Sequence, residues 1–130
     1  MPLTDFQKEV LDAIVENRCE ASHFAGGIVI HSTDESVRFS NDFDIFHDAV
    51  QELVSASERD VATLRSAGFE VELIDHNSSW MKPCSFRKAR VKRSNSVVEL
   101  DWAQDSAFRF FPIVRDPRLG WRLHLFDMAV

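Results

Sequence analysis

Three stretches of the chain alternate apolar and charged residues with a period of two, the period of a half-buried strand. In residues 42–46, Asp42 and Asp44 share one face, and Phe43 and Ile45 point the other way, into a core. In residues 97–102, Val97, Glu99 and Asp101 share a face opposed by Val98, Leu100 and Trp102. In residues 87–93, Lys88, Arg90 and Lys92 form one row, with Arg87, Ala89, Val91 and Arg93 behind it. Ser94-Asn95 is a turn signal, so 84–93 and 96–102 are predicted to fold back on each other as an antiparallel hairpin.

Around these strands the period changes to that of a helix. Leu3, Phe6, Val10, Leu11 and Ile14 predict a first helix ending near Arg18, and Thr4 with Gln7 reads as a capping box at its start. Val50, Leu53, Val54, Ser57, Val61 and Leu64 predict a long second helix, with Asp48 at its cap and Gly68 as its C′ residue. Gly26-Gly27 is expected to turn the chain into a strand at Ile28, Val29 and Ile30, with a polar loop over 31–36 and a second strand over 37–46. Residues 69–74 predict another strand, 108–114 a short one, and 123–130 the opening turns of a helix. A domain rarely stops on an apolar run such as Leu125, Phe126, Met128 and Val130. The chain is therefore expected to be one domain, residues 1–130, truncated at its C-terminus.

Composition narrows the class of protein. At 45% hydrophobic and 28% charged, the chain has the balance of a folded domain and not of a disordered one. Fifteen Lys and Arg against twenty-one Asp and Glu give a net charge of −6, which disfavours a simple nucleic-acid coat. No apolar run is long enough to cross a bilayer, so no membrane partner is expected. The N-terminus lacks the basic start and continuous apolar stretch of a signal peptide. Cys19 and Cys84 have no metal-ligand spacing, which favours a reducing cytoplasmic setting.

The acids carry the chemistry. Asp42 and Asp44 project from one face about 7 Å apart along the strand, and two such carboxylates repel unless a cation lies between them. Asp101, flanked by Leu100 and Trp102 on an interior strand, is costly there unless a cation or donor meets it; Glu99 on the same face is the other candidate for the inward acid. If the two strands are neighbours, Asp42, Asp44 and Asp101 converge into a set of hard oxygen ligands suited to Mg²⁺ (or Mn²⁺) and to phosphoryl transfer. The bare backbone at Gly26 and Gly27 can cradle phosphate oxygens.

The stretch from Phe24 through Gly26-Gly27 to Arg38-Phe39-Ser40-Asn41-Asp42-Phe43-Asp44 resembles the signature of the nucleotidyltransferase superfold, and more narrowly the AbiEii/AbiGii type of nucleotidyltransferase toxin. Asp101 between Leu100 and Trp102 resembles the third acidic motif, and residues 120–127 resemble the link into a helical C-terminal region. The resemblance implies an α+β fold, a nucleotidyltransferase-like mixed sheet flanked by two long helices. It implies transfer of NMP from an NTP to an RNA or protein acceptor, with a cognate antitoxin as partner. Asp42, Asp44 and Asp101 would be catalytic and metal-binding; Gly26, Gly27, Arg38, Ser40, Arg90 and Lys92 would bind the nucleotide. Two further readings stand beside these. Arg38 has Asp34 and Glu35 as alternative partners, and the 87–93 row has the reading of a solvated edge strand. A member that binds nucleotide or a partner without transferring anything is the alternative to the enzyme.

Overall fold

A computed structural model describes residues 4–25, 42–105 and 112–124. Helix α1 (Asp5–Ile14) starts at the capping box read from the sequence: the Thr4 hydroxyl accepts from Gln7 N, and Gln7 Oε1 accepts from Thr4 N at 2.8 Å. A 3-10 turn, Val15–Asn17, continues it. Strands β1 (Ser22–Ala25) and β2 (Asp42–His47) follow, then helix α2 (Val50–Ser66), then β3 (Glu70–Ile74), β4 (Phe86–Arg93), β5 (Ser96–Gln104), β6 (Val114–Asp116) and β7 (Gly120–Arg122).

Helix α2 is capped by Ala49, without a side-chain cap, so Asp48 lies one residue too early for the role expected of it. At the other end the C′ expectation holds. Gly68 has φ +94°, its N–H reaches Arg65 O and the N–H of Phe69 reaches Leu64 O, the paired bonds of a Schellman stop.

The seven strands form one mixed sheet in the order β3-β4-β5-β2-β1-β7-β6. Its core face is built by the apolar half of each alternation: Phe43 and Ile45 from β2, Ala89 and Val91 from β4, Val98, Leu100 and Trp102 from β5. Val10, Leu11 and Ile14 of α1 and Leu53, Val61 and Leu64 of α2 close over that same face. Here the expected arrangement is corrected. Among the described residues α1 is only ten residues long, only α2 is long, and the sheet is not flanked by two long helices. The reason lies in the alternation itself: the opposite face of β2, β4 and β5 is charged and offers a helix stripe nothing apolar to cover.

Two strands escaped the sequence pattern. A strand lies before the glycine pair, where the sequence pattern gave none, because β1 is buried at all four positions and so shows no alternation. Gly120, Trp121 and Arg122 form β7, which runs parallel to β1 with Phe24 opposite Arg122, where the sequence suggested a link into helices. Ala25, Phe46, Ile113, Trp121 and Leu123 make a small second apolar cluster at this end. The expected strands at 28–30 and 37–41, and the residues Phe108 and Leu125–Val130 of the expected C-terminal elements, fall outside the described residues.

Gly120 is held by its surroundings. Its φ is +75°, and a Cβ added there would lie 3.0 Å from Val15 O and 3.2 Å from Val15 Cγ2. Gly120→Ala is expected to lose about 1–3 kcal/mol, read as a lower urea midpoint at unchanged slope.

Candidate functional site

The charged face of the sheet is ordered by strand register. β2 and β5 are parallel neighbours, with Asp42 opposite Glu99 and Asp44 opposite Asp101. β4 and β5 are antiparallel, with Lys88 opposite Asp101 and Arg90 opposite Glu99. β3 adds Glu72 opposite Arg90. One row across the sheet therefore reads Asp44, Asp101, Lys88, and the next reads Asp42, Glu99, Arg90, Glu72. The three acids singled out from the sequence do share one face of adjacent strands.

Lys88 is the residue that joins the rows. Its Nζ lies 3.3 Å from Asp101 Oδ1 and 3.4 Å from Glu99 Oε1. Asp101 Oδ1 is buried, and the Lys88 ammonium is its cationic partner. Burial pulls the Lys88 pKa down, but the charges of Asp101 and Glu99 more than offset it and hold the ammonium above its usual value. Lys88 shares its row with Arg90 and Lys92, the two residues of that row named from the sequence as nucleotide-binding. These pair elsewhere: Arg90 bonds Glu99 at 3.0 Å and Glu72 at 3.3 Å, and Lys92 bonds Glu72 at 3.0 Å. The edge-strand reading of this row is corrected, because β4 lies between β3 and β5.

The carboxylates are under electrostatic stress. Burial, then the charges of Asp101 and Asp42, push Asp44 up to about 6. Burial, then repulsion from Glu99, raises Asp42. Burial also raises Asp101, against the pull of Lys88. Glu99 moves the other way, lowered chiefly by the hydrogen bond from Arg90. Asp101 is thus the more buried acid of β5 with one cationic partner, Lys88, and Glu99 has two, Lys88 and Arg90. Among the described residues no three acidic, His or Cys side chains are gathered as a bound metal ion would hold them. Gly26, Gly27, Arg38 and Ser40 lie outside the described residues. Ala25, the residue before Gly26, is the register partner of Asp44, so the chain leaves β1 beside the acids.

The remaining reactive residues serve the core. His47 is buried on the far side of β2, bonded to Ser22 Oγ at 2.9 Å and to Ala103 O at 3.2 Å. Burial pushes its pKa down to about 4. Arg87 is buried and bonds Ser79 O, Lys82 O and Ser57 Oγ. Cys19 and Cys84 are both free thiols. No helix among the described residues is long and apolar enough to cross a membrane.

The raised Asp44 has a measurable sign. Its folded pKa of about 6 lies above the unfolded value near 3.9, so the folded state keeps a proton that the unfolded chain has lost over roughly pH 4–6. Stability from this group falls as pH rises through that window. His47 does the opposite: its folded pKa lies below its unfolded one, so stability from it rises with pH over about 4–6.5. Comparing Asp44→Asn with the parent isolates the first slope. The variant is expected to be more stable by about 1 kcal/mol at pH 7.5, after allowance for partial exposure, with the gap closing toward pH 4; urea midpoints at the two pH values measure it.

Compared with protein-family models, with curated proteins and with solved structures, the chain matches none of them.

Proposed function

We propose that the charged face of the sheet is the catalytic surface of a divalent-cation-dependent nucleotidyltransferase that moves NMP from an NTP to an acceptor hydroxyl, the acceptor oxygen bonding to the α-phosphorus as the α–β bond breaks and pyrophosphate leaves. One observation carries the reading: Asp44 and Asp101, distant in sequence, stand opposite each other on adjacent strands with Asp42 on the same face. The donor set suits Mg²⁺ or Mn²⁺ in kind, being three carboxylates on one face, with the Lys88 ammonium now standing 3.3 Å from Asp101 Oδ1 as their counter-charge. Asp42, Asp44 and Asp101 would hold the ion, which supplies charge neutralisation at the transferring phosphoryl group. Asp101, facing Asp44 across the β2–β5 pair, would complete the site and help activate the attacking hydroxyl. The RNA or protein nature of the acceptor, the toxin-like role and a cognate antitoxin rest on the resemblance of residues 24–46 and of Asp101 alone.

The assay presents each labelled NTP with Mg²⁺ and total RNA to the parent and to Asp42→Ala. The parent is expected to transfer label. The variant is expected to fall to background while its melting temperature stays at or above the parent's, because removing one acid relieves repulsion. Undiminished transfer by the variant refutes the assignment. The competing reading, a module that binds nucleotide without transferring it, is favoured by Lys88 standing among the acids where a cation would otherwise be needed. Nucleotide binding by calorimetry with no transfer by the parent would select it.

A further inference from the structure

A cavity of about 310 Å³ opens beside the acid rows, between the end of β3, the loop after it and the start of β4. Its volume lies within the range of small-molecule sites. Lys82 and Lys88 line it, with Asn77 and Ser85 as further polar groups and Ile74 and Phe86 as apolar walls. No carboxylate is among its described lining residues, in a chain whose net charge is −6. Phe86 is 42% exposed, so part of its ring faces the opening.

The cavity wall is braced from behind. Buried Arg87 donates from Nε to Ser79 O at 2.9 Å and from Nη2 to Lys82 O at 3.2 Å. The Cys84 Sγ lies 2.9 Å from Phe86 O and 3.3 Å from Ser79 O, and its one proton can be donated to either. These bonds hold the backbone that carries Lys82, so a ligand would meet a loop already in place.

We propose that this cavity is a nucleotide-phosphate subsite, in which Lys82 and Lys88 neutralise the phosphate and Phe86 with Ile74 receives the base. The Lys82 ammonium supplies three donors to phosphate oxygens, Lys88 adds charge while it stays paired with Glu99 and Asp101, and the exposed ring offers a stacking surface to any base. Lys88 belongs to both places: it lines the cavity and it lies 3.3 Å from Asp101. Its movement toward a phosphate would leave Asp44 and Asp101 short of positive charge, the condition under which carboxylates take up a divalent cation. That last step rests on the transferase reading; phosphate binding does not.

The test uses the full chain with ATP, and separately a short RNA oligonucleotide, both in EDTA. Calorimetry is expected to show binding of one or both. Lys82→Gln and Ser85→Asp are each expected to weaken it at least about fivefold with unchanged melting temperature. Weakening for ATP alone marks a free-nucleotide subsite; weakening for the oligonucleotide marks the acceptor's. If neither probe binds, or if binding ignores both substitutions, the proposal is overturned. The two readings separate cleanly. Substitution-sensitive binding without transfer by the parent leaves the subsite standing and removes the enzyme. Transfer whose KM for NTP and for RNA ignores both substitutions does the reverse.

Discussion

Asp60→Ala is expected to lose about 3–5 kcal/mol of folding stability, near the largest loss a single substitution here can cause. Asp60 is completely buried, on the core face of α2. It forms an ion pair with Arg18, whose side chain is equally inaccessible. It also accepts from Trp102 Nε1 at 2.9 Å and from Asn17 Nδ2 at 2.9 Å. Alanine would leave the Arg18 guanidinium without its counter-charge, and its Nε and Nη1 already have no hydrogen-bond partner among the described residues. A typical domain is stable by about 5–15 kcal/mol, so the melting temperature should drop by roughly 10–20 °C. The double variant Asp60→Leu with Arg18→Met removes both charges together. It is expected to recover most of the loss, and a double variant as unstable as Asp60→Ala would show that the pair itself, not the orphaned charge, matters.

Trp102→Ala is expected to lose a similar 3–5 kcal/mol. The ring is fully buried, meets Trp80 edge to face with centroids 5.6 Å apart, and donates to Asp60. Trp102→Phe keeps most of the volume and leaves the Asp60 oxygen short of one donor, so about 1–3 kcal/mol is expected. Because Trp102 and Asp60 share one bond, their losses should not add; a cycle of the two single and the double variant measures the coupling. Trp102 follows Asp101 on β5, with its side chain on the opposite face. Loosening it would also disturb the acid row, so any transfer activity should be compared at temperatures where the variant remains folded.

Much of this was legible before the fold was known, and the reasons are local. The Thr4–Gln7 cap, the Gly68 stop and the faces of β2, β4 and β5 follow from side-chain chemistry at fixed spacing. So does the opposition of Lys88 and Asp101: a two-residue turn at Ser94-Asn95 sets the register, and counting back from it gives the pair. Lys88 could therefore have been preferred to Arg90 and Lys92 as the group facing the stressed acid. What sequence could not supply was non-local. β1 carries no period because both its faces are covered. β7 is three residues whose pairing with β1 has no sequence signal of its own. Asp60 occupies a buried helix position whose partners, Arg18 and Trp102, lie far along the chain, and a charged residue there reads as solvated until they are seen. Two long flanking helices were expected from resemblance, whereas the one-sided apolar alternation in the strands already argued for helices on a single face.

The parallel pairing of β2 with β5 also sets an order of assembly. The β4–β5 hairpin closes a two-residue turn and can form within microseconds, bringing Lys88 to Asp101 by itself. Asp44 is expected to reach that row later, because α2, β3 and β4 separate β2 from β5 in sequence and closing that loop carries a larger entropy cost. The cation of the hairpin is thus in place before the second carboxylate arrives, and the mutual repulsion of Asp44 and Asp101 is met along the folding route by a counter-charge already waiting. Substitutions at Lys88 should accordingly slow refolding more than they speed unfolding, the signature of a residue whose contacts precede the barrier.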